Sequence, residues 1–314
     1  MIHCVNLNAT LDHLFVVPEV TWGGVTKAVA VLSYPGGKGN NAARAVTTLG
    51  GKARVYAFSG AKERAASARF YKERGVDARL TAAPGSNRPC LVILDAAKNQ
   101  ETVINSPSQL KLGPSAIAKL KAGLMRAIQP GDIVTFSGSL PEGLKPDTYK
   151  TMIRDVQARG AVALLDSSGP GLSLGVEAAP LIVKPNADEL GEAFGVPVKT
   201  REQVLKACQQ LLRKGVRCVV VTLGDRGALA VTQRETLYVN PLPTPRGLLS
   251  PVGCGDAFFG ALALGLERSL ALPACLQWAT AAAWANLGSP GAIFFDAKLV
   301  KAQVKLVKVS RLAS

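Results

Sequence analysis

The sequence has few of the residues from which metal centres and disulfide networks are built. It contains six cysteines and two histidines in 314 residues, and no two cysteines form a C-x-x-C pair. A structural zinc site needs four ligands, mostly Cys and His, and a chain of this length is not a small disulfide scaffold. A Ser-His-Asp triad would have to recruit His3 or His13 near the N-terminus, which disfavours that chemistry. We therefore expect six reduced thiols and no zinc centre.

Aromatic residues and long apolar runs are scarce as well. Aromatics make up 5% of the chain, which argues against readers of single-stranded nucleic acid, because those proteins stack bases on aromatic side chains. The most apolar stretch, residues 271–285, is interrupted by Pro273, Gln277 and Thr280, so no 18-residue apolar run exists. The first residues lack the basic and apolar regions of a secretion signal. We expect a cytoplasmic protein with no membrane partner.

Charge is unbalanced: 37 Lys and Arg stand against 22 Asp and Glu, a formal net charge of +15. Such an excess suits anionic partners, from phosphate-bearing metabolites and nucleotides to nucleic acid or a membrane surface. The densest basic stripe places lysines at helical spacing with valines on the other side (Lys298, Lys301, Lys305 and Lys308; Val300, Val304 and Val307). This pattern predicts an amphipathic helix with a solvated face in preference to a nucleic-acid-binding arm, and we expect no nucleic-acid partner.

The order of elements indicates an α/β fold. Short β-branched runs alternate with helical patterns up to about residue 222, and no long linker interrupts them. Continuous apolar strands separated by helices predict a mostly parallel sheet covered on both faces, in a single domain that spans residues 1–314. The predicted strands are 2–7, 53–58, 133–136, 162–165, 181–183 and 218–222, and the predicted helices are 40–49, 62–74, 115–128, 147–159 and 201–214.

Two segments break the alternation, because each contains two β-patterns with no helix between them. The first pairs residues 14–17 with 25–34, and the second pairs residues 88–95 with 101–104. These insertions, at about 12–35 and 86–106, predict a small antiparallel sheet beside the body. Such an appendage commonly acts as a lid or as an oligomerisation surface.

The strongest local pattern is SPVGCGDAFFGALALGL at residues 250–266. Gly253 and Gly255 permit a tight turn, and the apolar run after Asp256 predicts a helix. The N–H groups at a helix start have no partner within the helix, and together with the helix dipole they form a site for a phosphate group. Asp256 is either the N-terminal cap of this helix or a base beside that phosphate.

A second glycine-rich turn, PGGKGNNAARAVTTLG, occupies residues 35–50. Its glycines permit close backbone approach just before a helix, and Lys38, Asn40 and Asn41 add donors for hydroxyls or phosphate oxygens. The spacing matches neither the P-loop nor the dinucleotide-binding fingerprint.

Together the two turns resemble the two signatures of the PfkB, or ribokinase-like, carbohydrate kinases. The resemblance covers nearly the whole chain, because SGSLP (137–141), DSSG (166–169), VKPNADEL (183–190) and TLGDRGAL (222–229) stand between them in the family's order. Leu7, Asn8 and Asp12 are similar to the LNPxxD pattern of the branch that holds 1-phosphofructokinase, tagatose-6-phosphate kinase and the minor 6-phosphofructokinase, with Ala9 replacing the proline. The resemblance implies a ribokinase-like three-layer αβα body with a β lid, and a homodimer formed through that lid.

The resemblance implies that residues 253–256 carry the chemistry. Asp256 would be the general base that takes the proton from the attacking sugar hydroxyl. The backbone amides of Gly253, Cys254 and Gly255 would form an anion hole for the γ-phosphoryl group, as phosphoryl transfer requires. Cys254 stands where the family usually has Ala or Ser. A backbone donor tolerates that change, so we interpret Cys254 as structural and not nucleophilic.

The resemblance also implies the ligand contacts. Those for the acceptor are Asp12, Gly37, Lys38, Asn41 and Ser137. Those for ATP are Lys184, Asn186, Thr222, Gly224, Gly227 and Asn286, with Asn286 near the adenine. Asn186 and Glu189 reproduce the family's N-x-x-E spacing, which helps to place Mg²⁺ through water; for Glu189 the alternative is a solvated first-turn carboxylate.

Three cations suggest an acceptor that already carries a phosphate. Lys27 is expected in a lid strand, Arg88 opens the second lid insertion, and Lys38 follows the glycine turn. A phosphate brings about two negative charges and needs such donors, for which Arg is well suited. Ordinary exposed lid positions are the alternative for Lys27 and Arg88.

Two departures from the family bear on the substrate. Ser250 and Pro251 stand where many members have Asp-Thr, which argues against ribokinase or adenosine kinase proper. After Gly60 the chain reads AKERAAS instead of a Gly-x-Asp-x-x-Gly loop that borders the sugar site.

The sequence therefore predicts an ATP- and Mg²⁺-dependent kinase that converts fructose 1-phosphate to fructose 1,6-bisphosphate. Tagatose 6-phosphate and fructose 6-phosphate are the nearest alternative acceptors, followed by an unphosphorylated sugar or nucleoside. A non-catalytic nucleic-acid-binding protein and a nucleotide-binding regulator without catalysis are the alternatives from other classes.

Overall fold

The computed structural model describes residues 1–247 and 249–312, and over these residues a large sheet covered by helices stands beside a smaller sheet. The strands are β1 (Ile2–Asn6), β2 (Thr10–Val17), β3 (Ala30–Gly36), β4 (Ala53–Gly60), β5 (Asp77–Ala83), β6 (Arg88–Asp95), β7 (Gln100–Asn105), β8 (Ile133–Ser137), β9 (Val162–Asp166), β10 (Ile182–Val183), β11 (Cys218–Thr222), β12 (Ala228–Thr232), β13 (Thr236–Val239) and β14 (Val309–Leu312). The helices are α1 (Lys38–Thr48), α2 (Ala61–Glu73), α3 (Pro114–Ala127), α4 (Thr148–Ala158), α5 (Gly169–Gly175), α6 (Ala187–Phe194), α7 (Arg201–Arg213), α8 (Cys254–Glu267), α9 (Leu272–Leu287) and α10 (Ala297–Val304).

The main sheet has the order β14-β13-β12-β11-β10-β9-β8-β1-β4-β5. Pairing is parallel from β5 through to β11 and antiparallel from β11 to β14. Every residue of β1 and β8 is buried, as expected for strands covered on both faces. The predicted α/β body is confirmed, and three antiparallel strands extend it at one edge.

Two apolar cores lie on opposite faces of this sheet. Residues of α1, α8 and α9 form one core, and residues of α3, α4 and α7 form the other. This is the predicted three-layer arrangement. The carboxyl ends of the parallel strands open between the two helical layers, where loops can bring side chains from several strands together.

The predicted basic helix near the C-terminus is α10. Val300 and Val307 are buried, whereas the four lysines of the stripe are exposed. The helix ends at Val304, so Lys305 and Lys308 lie beyond it. In the described part of the chain, no helix combines the length and the hydropathy that crossing a bilayer requires.

The smaller sheet, called the lid below, has the order β3-β2-β6-β7. A second sheet built from the two insertions was predicted correctly, but its strand directions are mixed and not wholly antiparallel. The β2–β3 and β6–β7 pairs are antiparallel hairpins, whereas β2 and β6 run parallel to each other. The reason is that β2 and β6 leave the body directly after β1 and β5, which themselves point the same way in the main sheet.

Candidate functional site

The carboxyl ends of β1, β8 and β9 place a row of polar side chains at one edge of the main sheet. Asn6, Ser137 and Asp166 occupy equivalent positions in the register of these three strands. All three are buried, and neither the Asn6 amide nor the Ser137 hydroxyl has a hydrogen-bond partner among the described residues. Buried polar groups are nearly always paired in folded proteins, so the edge is built to receive something further.

Asp166 is the centre of a buried charge cluster at this edge. Its carboxylate lies 3.1 Å from the Lys38 Nζ and 3.2 Å from the Lys184 Nζ. Lys38 also contacts Glu189, with its Nζ 2.6 Å from the Oε1 atom. Burial opposes a charged amine, yet Asp166 and Glu189 together hold the pKa of Lys38 above its ordinary value. Asp166 therefore fixes two cations from two different elements at one point.

Asp256 lies close to this cluster, in the first turn of α8. Its carboxyl is 8% exposed and accepts a hydrogen bond of 2.8 Å from the Asn41 Nδ2. Burial, reinforced by the negative charge of Asp166, raises the pKa of Asp256 to about 7, although Lys38, Asn41 and Lys184 oppose the shift. A carboxyl that titrates near neutral pH is suited to accept a proton in a reaction. Asp256 makes no capping hydrogen bond, and Gly253 holds the cap position of the helix.

The turn before α8 leaves three backbone N–H groups without a partner among the described residues. Gly253 has φ +84°, a conformation that favours glycine, and a Cβ there would come within 2.6 Å of Ala292. The amide of Cys254 donates to Pro251 O at 3.1 Å and closes the turn. Of the three amides predicted for the anion hole, that of Cys254 is therefore already used. The amides of Gly253, Gly255 and Asp256 make no hydrogen bond to any described residue.

The Cys254 side chain contacts the backbone of Ser250 and the side chain of Asn286. The Asn286 Nδ2 lies 3.4 Å from its Sγ, and burial raises the pKa of this thiol to about 12. A thiol with so high a pKa is a poor nucleophile. These contacts support the structural interpretation of Cys254.

Asn286 is fully buried and holds the same turn. Its Nδ2 donates to Val252 O at 2.8 Å, and its Oδ1 accepts from the backbone of Ile293 at 2.7 Å. The amide is thus fully used by the protein. The predicted contact between Asn286 and adenine stays a prediction.

The first glycine turn leads into α1 beneath the same edge. Gly37 caps α1 with φ +99°, and a Cβ there would lie 2.6 Å from the Asn6 Nδ2. A Cβ at Gly36 would collide with the carboxylate of Asp12. The turn therefore needs glycine for close packing. Lys38 contacts Asp166 and Glu189, and Asn41 contacts Asp256. The predicted contacts of Lys38 and Asn41 with the sugar stay predictions.

Asp12 and Arg88 lie on the inner face of the lid, where β2 and β6 pair. Burial raises the pKa of Asp12, although the Thr10 hydroxyl and the charges of Arg44 and Arg88 oppose the shift. The Arg88 guanidinium donates to Asn105 Oδ1 and to Ser106 O, each at 3.1 Å, and its Nε has no partner among the described residues. A half-buried guanidinium beside a buried carboxyl is a suitable contact for a phosphorylated polyol.

The predicted convergence of three cations is not what the structure shows. Lys27 is exposed and lies in the long connection between β2 and β3, so its placement in a lid strand was wrong. The last paired residues of this hairpin are Val16 and Ala30. Lys27 comes before Ala30 in the chain and therefore lies in the connection and not in the sheet. The neighbours of Lys27 line a groove on the outer face of the lid. Lys38 pairs with Asp166 and Glu189, whereas Arg88 lies near Asp12. The contacts of Lys38 and Arg88 with an acceptor phosphate stay predictions.

The residues predicted for ATP, apart from Asn286, follow β10 or lie at and just after the end of β11. Asn186 pairs with Thr222 as an isolated bridge, next to Lys184. Asn186 and Glu189 form a reciprocal capping box at the start of α6, with bonds of 2.7 and 2.9 Å. Gly224 and Gly227 have φ values of +64° and +84° in the turn after β11. Backbone conformation therefore requires glycine at both positions, whatever they bind.

The donor chemistry at this point fits Mg²⁺ held mainly by nucleotide phosphates. Glu189 and Asn186 offer the carboxylate and amide oxygens that Mg²⁺ prefers. Both oxygens of Glu189 are engaged, one by Lys38 and the other by the Asn186 amide. Within residues 1–247 and 249–312, no three His, Cys, Asp or Glu side chains form a metal cluster. A contact through water, as predicted, is compatible with these residues, whereas an all-protein cage is not.

Asp166 and Asn6 are site residues that the sequence reasoning did not single out. The signal was present for Asp166, because DSSG directly follows an apolar strand, and parallel strands end at a common edge. Asn6 gave no signal, because an amide at a strand end is ordinary until its missing partners are seen.

The chain is similar to known proteins in sequence and in fold. The family described as "pfkB family carbohydrate kinase" matches residues 6–298. A 1-phosphofructokinase of Rhodobacter capsulatus is 33% identical over 288 residues, covering 91% of this chain and 90% of that protein. A tagatose-6-phosphate kinase of Staphylococcus epidermidis is 29% identical, covering 85% of each. The crystal structure of phosphofructokinase-2 from Escherichia coli with substrates and products is similar with a TM-score of 0.89 and 27% identity, covering 97% of this chain and 98% of that one.

Proposed function

Because the chain belongs to the pfkB family of carbohydrate kinases, we propose that it transfers the γ-phosphoryl group of ATP to a hydroxyl of a ketohexose phosphate. Fructose 1-phosphate is the first acceptor, which would give fructose 1,6-bisphosphate, since a relative named 1-phosphofructokinase matches over most of the chain. The proposal is carried by the buried Asp256 carboxyl, with a pKa of about 7, beside a turn of unpaired amides.

The residues at the edge divide the work of transfer. Asp256 takes the proton from the acceptor hydroxyl while the oxygen of that hydroxyl attacks the γ-phosphorus. The bond between the γ-phosphorus and the oxygen that bridges to the β-phosphate breaks, and ADP is released. Asn41 holds the carboxylate in place through one hydrogen bond of 2.8 Å. The amides of Gly253, Gly255 and Asp256 would stabilise the charge on the transferred group, which is the main requirement of this chemistry.

Lys184 and Mg²⁺ would hold the triphosphate. Lys184 is 2% exposed, and its Nζ lies 3.8 Å from the position of a Cβ on Gly255, so the amine and the turn face one space. Mg²⁺ would neutralise phosphate charge, with Glu189 and Asn186 reached through water. A strict requirement for a divalent cation is the expected result of a chelator titration. Full activity in excess chelator would contradict the metal role.

The acceptor would lie between Asp12 and Arg88 under the lid. A coupled ADP-release assay over fructose 1-phosphate, tagatose 6-phosphate, fructose 6-phosphate and free sugars tests this directly. We expect fructose 1-phosphate to give the highest kcat/KM. The kcat/KM for free fructose should be lower by at least about tenfold, because free fructose lacks the phosphate that makes charge-assisted contacts. Equal kcat/KM for free and phosphorylated sugars would move the assignment to an unphosphorylated sugar or nucleoside.

A non-catalytic nucleic-acid-binding protein is the alternative suggested by the net charge of +15. It predicts retention on DNA or RNA that falls steeply with salt, and no ATP turnover. The same assay run with and without acceptor, beside a salt series on nucleic acid, separates the two functions, because only the kinase releases ADP when an acceptor is added.

The lid also supports the expected homodimer. Its outer face exposes Val31 and Ile104, each 53% accessible, on two different strands. Between them Phe15, Leu91 and Ile93 line a shallow groove of about 200 Å³. Exposed apolar surface of this kind is typical of protein interfaces. Ile104→Lys should convert a dimer into a folded monomer in sedimentation velocity, whereas Lys27→Ala should leave the dimer intact.

A further inference from the structure

The lid contacts the body at the segment that precedes the catalytic turn. Glu101 in β7 pairs with the buried Leu94 and so faces inward. Its carboxylate accepts a hydrogen bond of 2.6 Å from the Ser250 hydroxyl and one of 3.1 Å from the Val252 backbone N–H. Ser250 and Val252 precede Gly253, so Glu101 links the lid to the segment that leads into the turn.

Two further contacts attach the same segment to the lid. Asn99, at the tip of the β6–β7 hairpin, accepts a bond of 2.9 Å from the backbone of Leu249. The Val252 side chain packs against the apolar cluster of the lid, which contains Leu14 and Val92. The segment is therefore held by polar and apolar contacts from the lid at once.

The body holds the other side of the segment. The Ser250 amide donates to Leu287 O at 2.9 Å, and Asn286 donates to Val252 O at 2.8 Å. Val252 is thus fixed at its N–H by the lid and at its carbonyl by the body. Contacts from the lid and from the body therefore both fix the backbone of Val252.

Because each peptide group is planar, these two hydrogen bonds restrict the backbone conformation of the turn. The Val252 N–H shares a peptide plane with the Pro251 carbonyl, which accepts the Cys254 amide and closes the turn. The Val252 carbonyl shares a plane with the Gly253 N–H, one of the unpaired amides. Glu101 therefore fixes the plane whose carbonyl closes the turn, and Asn286 fixes the plane that carries the Gly253 N–H.

Glu101 is held without a counter-charge. Within the described residues it makes no ion pair, and its two donors are a hydroxyl and a backbone amide. Burial raises its pKa, because an unpaired buried carboxylate is costly. The contact therefore consists of two hydrogen bonds and no ion pair.

We propose that Glu101 is a positioning residue that makes the amide site at residues 253–256 depend on docking of the lid. The proposal rests on the proposed kinase function and adds to it a coupling between acceptor binding and phosphoryl transfer. With the lid docked, the turn is fixed on both sides and receives the γ-phosphoryl group. With the lid withdrawn, the Pro251–Val252 plane can rotate, and ATP bound without an acceptor meets an unformed site, which suppresses its hydrolysis.

The test compares Glu101→Ala with Glu101→Gln and with Thr102→Ala as the matched control. Thr102 is the next residue on the same strand, but it faces outward opposite Ile93. Glu101→Ala should lower kcat by about 10- to 100-fold, as expected for a displaced site, with KM for ATP changed by less than about threefold. Glu101→Gln should keep most of the activity, because its amide can accept from Val252 and donate to Ser250. Thr102→Ala should match the parent.

Hydrogen exchange gives a readout that does not require turnover. In the parent, the acceptor should slow amide exchange in residues 249–255, and Glu101→Ala should abolish that protection. If Glu101→Ala does not fold, Ser250→Ala removes one donor from the body side and should give a smaller loss of the same kind. Parental kcat and parental exchange in Glu101→Ala, or in Ser250→Ala where that replaces it, would overturn the proposal.

Failure of the kinase assignment is distinguishable from failure of this inference. If no acceptor supports ADP release by the parent, the proposed function fails. The exchange comparison can still be made on ligand-free protein, where Glu101→Ala should exchange faster than the parent at residues 249–255. Equal exchange there would reject the positioning role independently.

Discussion

The two ends of the parallel strands both hold buried ionisable groups, but they satisfy them differently. At the amino end, His3 contacts the Tyr56 hydroxyl at 3.2 Å and Asp132 at 3.1 Å. Asp132 also accepts from the N-terminal amine and from the Gln129 amide. At the carboxyl end, the side chains of Asn6 and Ser137 have no partner among the described residues.

The pKa shifts at the two ends have opposite signs for the same residue type. Hydrogen bonds to the backbone, the N-terminal amine and His3 outweigh burial and lower the pKa of Asp132. Burial and the charge of Asp166 raise the pKa of Asp256 to about 7. A satisfied cluster stabilises the folded chain, whereas an unsatisfied one with a raised pKa is typical of a site that completes itself with ligand. We therefore interpret the amino end of the strands as structural and the carboxyl end as the place of the reaction.

The largest expected effect tests the carboxyl end. Asp256→Asn should lower kcat by about 10²- to 10⁴-fold, the usual consequence of removing a general base. The fold should persist, because Asn41 can still donate to the new side-chain oxygen. Steady-state kinetics and circular dichroism check the two parts, with Cys254→Ala as a neighbouring control that should keep its activity. Turnover within threefold of the parent would leave Asp256 as a structural residue.

A second substitution tests acceptor recognition under the lid. Arg88→Ala should lower kcat/KM for the phosphorylated acceptor by roughly 10- to 100-fold, in line with the loss of a charge-assisted contact. Free sugar and ATP should be affected by less than about threefold. Lys27→Ala is the control, since Lys27 lies in the exposed connection and should not change the preference. Equal effects of Arg88→Ala on free and phosphorylated sugars would remove Arg88 from the phosphate site.

The pH dependence of the parent gives a third, smaller effect. A general base must be deprotonated, so kcat/KM should fall as pH drops through the value of about 7 that burial gives Asp256. Below that point the decrease should approach about tenfold per pH unit. A pH series of kcat/KM at saturating Mg²⁺ measures it. A profile that stays flat down to pH 5 would contradict a buried base with a raised pKa.

The sequence predicted the parallel body and the two glycine turns because their signals are local. An apolar run, a glycine at a tight turn and the start of a helix can each be recognised within about ten residues of sequence. The mixed direction of the lid was missed because it depends on β1 and β5 pointing the same way across the sheet. The misplacement of Lys27 has a similar origin, since the hairpin register decides which residues lie in the connection.

The roles of Lys38 and Glu101 were also outside the reach of local patterns. The ion pairs of Lys38 were not predicted, because its partners Asp166 and Glu189 lie 128 and 151 residues away in the chain. Glu101 contacts a segment 149 residues further on. Motif order shows that such segments belong to one site, but only packing shows which side chains meet.

The smallest expected effect tests the amino end and is one of stability. Burial, the largest influence, lowers the pKa of His3 below 6.5, although Asp132 opposes the shift. The unfolded chain therefore binds a proton more readily than the folded one, and the stability that the neutral imidazole provides above pH 6.5 is lost as pH falls below that value. The lowered pKa of Asp132 changes the stability only below pH 3.8, which lies outside the pH range of this test. His3→Gln removes the titration but can still donate to Asp132, so it should cost no more than about 1 kcal/mol at pH 8. Denaturant unfolding at pH 8 and pH 5.5 should show a smaller loss in the variant than in the parent, with kcat unchanged. An equal loss in both proteins, or a tenfold fall in kcat, would show that this end of the strands is not the purely structural one.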